Sequence, residues 1–437
     1  MSASDPGSGE ELALLTDLYQ LTMLQSYRRR GMTEPATFEL FVRHLPKARR
    51  FLVACGLEAA LEYLSTLRFS ASDLVYLRTL GRFNDEFLGW LGDLRFTGDV
   101  WAMPEGEALF AGEPMLRVTA PLPEAQLAES FLLSTVLYAT GVASKAARCV
   151  IAAGGREVVD FSLRRDHGGE AALTAARSAW IAGAAGTSNV LAGKRFGIPV
   201  VGTMAHSYVM AFEDEREAFR EYARDFPDAA VLLVDTYDTE EGVRRAIEVG
   251  RELAARGHAL RGIRLDSGDL AALAHTTRRM LDAAGLTSAR IVASGDLNEY
   301  RIAEIVGAGA PVDTFGVGTE LGVVADAPAL AGVYKLVEYA GRGRAKRSPE
   351  KQSLGGRKQV WRRDGFLDVL ALDGVPIEGA RPLLERVMDG GRPVRAPALD
   401  EARERCADVL AALPAELREL APADGSADRV EVDGSLR

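Results

Sequence analysis

Through the middle of the chain, short β-branched runs alternate with longer stretches of helical period. The runs are Glu157–Phe161, Ile198–Val201, Val231–Asp235, Leu260–Leu265, Arg290–Ala293 and Asp313–Val317, and each gives way to polar or glycine residues. Between two of them, Glu240–Leu253 sets Val243, Ala246, Ile247 and Leu253 along one side, as an amphipathic helix requires. Thr239 followed by Glu240 and Glu241 marks its start, and Gly257 just after Arg256 marks its end. Strands and helices alternating at this spacing predict parallel βαβ units. A (β/α) barrel and an open doubly wound sheet both satisfy that pattern, and both bind ligands at the C-terminal ends of their strands. The barrel is favoured, because successive strand ends carry polar groups that would share one mouth.

The flanks have a different texture. Before about Leu133, helix-like and strand-like runs mix with turn signals such as Met103-Pro-Glu-Gly106 and Gly112-Glu-Pro114. After about Tyr334 comes a basic segment, then Lys358–Arg362 and a hairpin-rich region. Glu401–Leu413 reads as a terminal helix capped by Asp400 and stopped by Pro414, with a short helical piece on to Leu420. The expected α/β architecture is a TIM-like (β/α) barrel over residues 134–335. It packs on an α+β domain formed by the N- and C-terminal flanks, residues 1–133 and 336–437. The first ten residues read as a flexible tail and the last dozen as disordered.

Composition narrows the class. At 437 residues the chain is long enough for two domains. With 47% hydrophobic and 26% charged residues it is an ordinary globular composition. A net charge of −10 argues against general nucleic-acid binding. Cys55, Cys149 and Cys406 lie far apart and form neither a CxxC pair nor a zinc spacing, which suits a reducing compartment, with Cys149 in an apolar core stretch. The N-terminus has no signal-peptide pattern. The Ala-rich stretch Ala171–Gly186 is broken by Arg177, so no membrane partner is expected and the cytoplasm is the expected location.

Four strand ends carry candidate chemistry. Gly202-Thr-Met-Ala-His-Ser207 puts His206 at the mouth, where an imidazole serves as general base, metal ligand or phosphoryl acceptor, or as an ordinary hydrogen-bonded helix start. Arg264 and Asp266 are two apart on one face of a strand end. Such an Arg can hold a carboxylate by two hydrogen bonds and the Asp can accept from a sugar diol; equally, the two can pair and shape the rim. Ser294-Gly-Asp296 and Gly316-Val-Gly-Thr319 are glycine-bearing ends whose backbone N–H groups suit phosphate, or are plain tight turns. The Lys- and Arg-rich Arg342–Arg363 is either a solvated hairpin or a basic rim for polyphosphate. Walker, GxSxG and HExxH motifs are absent.

Taken in order, seven segments resemble the nicotinate phosphoribosyltransferase family of type II phosphoribosyltransferases. They are Leu15-Thr-Asp-Leu-Tyr-Gln20, Asp160-Phe-Ser-Leu-Arg-Arg165, Gly186-Thr-Ser-Asn-Val-Leu-Ala-Gly193, Gly202–Ser207, Val234-Asp-Thr-Tyr-Asp238, Arg264-Leu-Asp-Ser-Gly-Asp269 and Gly316–Thr319. The resemblance implies a partial (β/α) TIM-like barrel packed on an α+β domain, and a homodimer with sites at the interface. Tyr19 and Phe161 would sandwich the pyridine ring, with Tyr19 and Asp17 coming from the partner subunit. It further implies that Arg264 and Thr203 contact the nicotinate carboxylate region, Arg164 the ring site or diphosphate, and Asp266 the ribose hydroxyls. Gly295, Gly318 and Thr319 would hold the 5′-phosphate. His206 would be phosphorylated by ATP as co-substrate. Mg²⁺ would act on the diphosphate, held by water and substrate oxygens, with no metal bound by the protein alone.

The resemblance also bears on the substrate. Related nicotinamide enzymes carry an aspartate where this chain has Ser188, and an aspartate would repel a carboxylate. Nicotinate, phosphoribosyl pyrophosphate and ATP are therefore the expected small-molecule partners, in the first step of NAD salvage. The rivals are a nicotinamide or quinolinate phosphoribosyltransferase, and a non-catalytic barrel that binds a nucleotide.

Overall fold

The computed structural model describes residues 12–346, 354–395, 398–421 and 429–436. The tail expected over the first ten residues, and part of the basic segment after Arg342, lie outside them. The chain forms two compact units, Met1–Ser144 with Ala327–Arg437, and Lys145–Asp326.

The first unit is built on a seven-stranded antiparallel sheet. In order its strands are Arg342–Gly343, Gly332–Tyr339, Pro35–Val42, Pro114–Pro121, Asp99–Ala102, Glu385–Asp389 and Arg392–Pro393. The inner strand Pro35–Val42 is buried along almost its whole length, and its Phe38 stacks on Tyr334 of the neighbouring strand Gly332–Tyr339 at 4.9 Å. Helices Leu18–Arg29, Leu57–Thr66 and Asp85–Asp93 bury their apolar sides in the same core. A second sheet joins Arg381–Pro382, Lys358–Arg363, Leu367–Leu372 and Val430–Val432.

The C-terminus corrects two expectations. Val430–Val432 runs parallel to Leu367–Leu372, with Val430 opposite Asp368, and Gly434–Leu436 forms a 3-10 turn, so the described part of the last dozen residues is structured. Two valines around one polar residue are enough alternation to join an edge. The terminal helix is Leu399–Ala412, and its N-cap is Ala398 rather than Asp400. Asp400 sits in the first turn, where its charge complements the exposed N–H groups without capping them.

The second unit holds a six-stranded parallel sheet in the order Gly186–Thr187, Glu157–Asp160, Thr314–Val317, Arg290–Ala293, Gly262–Leu265, Val231–Leu233. Five of the six expected runs form strands. Ile198–Val201 does not: Pro199 has no N–H to give, and Val200 makes only an isolated bridge to Thr187. The stretch from Val201 to His206 nevertheless bonds to residues at or beside both edge strands of the sheet. Val201 donates to Thr187 O at 2.9 Å, while Met204 O accepts from Arg264 and His206 meets Thr236 beside the strand Val231–Leu233. Helix Thr239–Ala255 starts where the pattern put it, with Asp238 accepting from Glu241 N at 2.8 Å as cap, and Gly257 takes a φ of 83° after it.

The unit boundaries differ from the expected 133/134 and 335/336. They fall within helix Glu129–Ala153 and before strand Gly332–Tyr339, which pairs with Pro35–Val42. A helix that continues through a boundary leaves no break in its sequence pattern. That helix is long and apolar enough to cross a membrane, but 78% of its apolar window is buried in the protein. It also carries Lys145 and Arg148, both buried against Glu299.

Candidate active site

At the C-terminal ends of the parallel strands lies a cleft of about 260 Å³. Phe161, Arg164, Ser188, Thr203, His206, Arg264 and Asp266 all line it, with Leu163, Met204 and Leu233 as apolar wall. Seven of the residues singled out in the sequence thus meet in one place. Arg164 lines the cleft and Arg165 does not.

Arg264 leaves the strand Gly262–Leu265 and is held on three sides. Its Nε donates to Ser294 Oγ at 2.7 Å, Nη1 to Thr203 Oγ1 at 3.0 Å and Met204 O at 3.3 Å, and Nη2 to Asp266 Oδ1 at 2.8 Å. The guanidinium lies 5.6 Å from the centre of the Phe161 ring. Of its five N–H groups one is left over. The fork that would grip a carboxylate with two bonds is therefore closed, and Arg264 offers a ligand a single donor.

Asp266 is shaped by the same contacts. Burial by itself would raise its carboxyl, but hydrogen bonds from Ser294 and Arg264, with the charges of Arg264 and His206, hold it below the usual carboxylate range. Its backbone N donates to Asp235 Oδ2 at 2.9 Å, and Ser267 Oγ donates to the same oxygen at 2.6 Å. His206 begins a short helix, its Nδ1 3.2 Å from Thr236 Oγ1 and its Nε2 3.6 Å from Asp266 Oδ2. With 40% of its side chain exposed, it can be reached from the cleft.

The ring of Phe161 rests on Gly316. A Cβ there would sit 2.5–2.6 Å from two ring carbons, so only glycine allows the ring to lie flat on the strand. Behind Phe161, Asp160 is buried and accepts from Ser162 N, Ser162 Oγ and Thr187 Oγ1 at 2.6–2.9 Å. Burial still raises its carboxyl, against those bonds. Asp166 is pushed up to about 6, by burial first and by the Asp160 charge, with the Ser162 bond opposing.

The remaining expected residues do not line the cleft. Gly295 has a φ of 93°, and its missing Cβ leaves room for the Asp266 carbonyl oxygen. Gly318 stands against Phe161 O, and Thr319 opens the short helix Thr319–Gly322. Asp17 and Tyr19 belong to the first unit. There Asp17 accepts from Ser130 Oγ at 2.6 Å, and Tyr19 is 49% exposed at the start of helix Leu18–Arg29. Three supporting residues, Ser294, Thr236 and Gly316, lie in segments that the sequence had singled out, but none had been given a role of its own there.

The family model of the nicotinate phosphoribosyltransferase N-terminal domain matches residues 14–137, and that of the nicotinate phosphoribosyltransferase family matches residues 156–357. The chain belongs to the nicotinate phosphoribosyltransferase family. It is 51% identical over 414 residues to nicotinate phosphoribosyltransferase pncB2 of Mycobacterium tuberculosis, covering 93% of this chain and 89% of that protein. It is 47% identical over 361 residues to nicotinate phosphoribosyltransferase of Bacillus subtilis, covering 81% and 73%. The fold matches the crystal structure of human nicotinic acid phosphoribosyltransferase with a TM-score of 0.85 at 30% identity, over 96% of this chain and 98% of that one. The mixed α/β architecture with its parallel sheet is thus that of a nicotinate phosphoribosyltransferase.

Proposed function

We propose that the protein transfers the phosphoribosyl group of phosphoribosyl pyrophosphate to nicotinate, giving nicotinate mononucleotide and diphosphate as the entry step of NAD salvage. The observation that carries this reading is the convergence of Phe161, Arg264, Asp266 and His206 on one cleft in a chain of this family. The bond from ribose C1 to diphosphate breaks, and the pyridine nitrogen forms the new bond from the opposite face. Positive charge develops on the ribose, so catalysis is mainly alignment and charge stabilisation. Phe161 offers a flat face for the pyridine ring, and the remaining N–H of Arg264 offers a donor to its carboxylate. Asp266, kept ionised, offers an oxygen to the ribose hydroxyls. Ser188 leaves the carboxylate unopposed by a like charge.

His206 is proposed as the acceptor of the γ-phosphoryl group of ATP, with ADP leaving; hydrolysis of the phosphoenzyme later frees phosphate. The phosphorylated state would bind substrates more tightly, coupling the two reactions by differential affinity. Mg²⁺ would enter as the salt of phosphoribosyl pyrophosphate, on diphosphate oxygens and water. The 5′-phosphate is assigned to the loops at Gly295 and at Gly318 and Thr319. A partial barrel is supported by the stretch from Val201 to His206, which bonds to residues at or beside both edge strands of the parallel sheet. A homodimer, with Tyr19 and Asp17 completing the site of the other subunit, is supported by large exposed apolar residues: Leu15, Leu18 and Tyr19 in one unit, Val190, Leu191 and Val200 in the other. A cytoplasmic location accords with three buried cysteines, none in a disulfide.

The test is product formation from phosphoribosyl pyrophosphate and Mg²⁺ with nicotinate, nicotinamide or quinolinate in parallel, each with and without ATP. Nicotinate mononucleotide is expected from nicotinate alone, faster with ATP, with that stimulation lost in His206→Ala. Turnover of quinolinate or nicotinamide instead would overturn the substrate assignment. Tight ligand binding without turnover would make the protein a binding module.

A further inference from the structure

We propose that Ser294, through its buried hydroxyl, is a positioning residue that fixes the side chains of both Arg264 and Asp266 and thereby limits the cleft to one donor and one acceptor oxygen from that pair. The inference rests on reading the cleft as the nicotinate and phosphoribosyl pyrophosphate site. Ser294 follows strand Arg290–Ala293, is 2% exposed and does not line the cleft, so it can act only through its neighbours. Its own placement is rigid. Its backbone N donates to Leu265 O at 2.8 Å, tying it to the adjacent strand, and Gly316 lies behind its Cβ.

The chemistry of the groups leaves one hydrogen-bond pattern. A guanidinium only donates, so Ser294 Oγ accepts from Arg264 Nε at 2.7 Å. The single hydroxyl hydrogen then goes to Asp266 Oδ1 at 2.5 Å, which also accepts from Arg264 Nη2. The three side chains close a ring in which every hydrogen has one destination. Thr203 Oγ1 and Met204 O take the two N–H groups of Nη1. What remains toward the cleft is one N–H of Nη2 and Oδ2 of Asp266, the oxygen 3.6 Å from His206. A single fixed N–H reads one oxygen of a ring substituent, and a single fixed oxygen reads one ribose hydroxyl or the imidazole. Without the hydroxyl, the Nε hydrogen and one lone pair of Oδ1 lose their partner, and both side chains gain freedom to turn.

The test uses the full chain and steady-state kinetics, with nicotinate and phosphoribosyl pyrophosphate varied in turn. Ser294→Ala is expected to lower kcat/KM for both substrates by roughly 10- to 100-fold, the scale of a small misplacement of reacting groups. Ser294→Thr keeps the hydroxyl and should restore activity. Ser294→Cys, near in size but a weak donor, should behave like the alanine variant and serves in its place if that variant does not fold. Combined with Arg264→Ala, the Ser294→Ala loss should fail to add in full, because it acts largely through the same side chain. Wild-type kinetics in Ser294→Ala, a loss that threonine does not restore, or full additivity would each overturn the proposal. Absence of nicotinate turnover in the unmodified protein would instead retire the reading of the cleft. Turnover abolished by Arg264→Ala and untouched by Ser294→Ala would retire this inference alone.

Discussion

At the scale of single residues, the site depends on atoms that are missing as much as on those present. Gly316 has no Cβ, and the Phe161 ring occupies that space. Gly316→Ala would drive the ring off the strand and into the volume assigned to the pyridine. Overpacking of this kind costs about 1–3 kcal/mol, so the KM for nicotinate is expected to rise roughly tenfold or more while that for phosphoribosyl pyrophosphate changes far less. Separate titration of the two substrates checks this. Which residues gather at the cleft was also the part most legible in the sequence: His206, Arg264, Asp266, Phe161, Arg164, Thr203 and Ser188 were all singled out, and all line it. Which of their hydrogen bonds the protein itself consumes was not legible. That depends on Ser294, thirty positions along the chain from Arg264, and no spacing rule connects them.

At the scale of elements, the loop Phe161–Asp166 connects the ring site to the helix that follows. The Ser162 hydroxyl has one hydrogen and faces two carboxylates, at 2.6 Å from Asp160 and 3.0 Å from Asp166. Burial first, and the Asp160 charge with it, push the Asp166 carboxyl up to about 6 from an ordinary 3.8, against the Ser162 bond. Between those values the folded state binds more protons than the unfolded one, so this group lowers stability as the pH rises through the window and adds no further change above it. Asp166→Asn is expected to gain on the unmodified protein as pH rises from 3.8 to about 6 and to hold that gain at higher pH. Melting temperatures of the two proteins across that range decide the matter, and a constant difference would refute it. Element types were read well where a clear period existed, as in Thr239–Ala255. They were misread where Pro199 removed a donor, and helix Glu129–Ala153 was passed over because it is apolar on nearly all sides.

At the scale of the whole molecule, the proposed dimer makes a prediction that a monomeric site cannot meet. If Tyr19 serves the cleft of the other subunit, Tyr19→Ala and Arg264→Ala each inactivate the homodimer for a different reason. Mixed dimers then regain one intact site of two, and an equal mixture refolded or co-expressed should recover about a quarter of full activity. No recovery, with mixed dimers demonstrated by mass, would assign Tyr19 to its own subunit's site or to none. The division into two units was legible in outline, but its borders were not, since one helix runs through the first and a strand of the second sequence block returns to the first sheet. That division has a practical consequence through the cysteines. Cys55 and Cys406 lie in one unit and Cys149 in the other, all buried, with burial pushing the Cys406 thiol up to about 12. Each unit therefore carries a built-in reporter that an alkylating reagent can reach only when that unit opens. Peptide mass after timed alkylation in rising denaturant would give each unit its own unfolding curve, from the natural sequence and without a single engineered label.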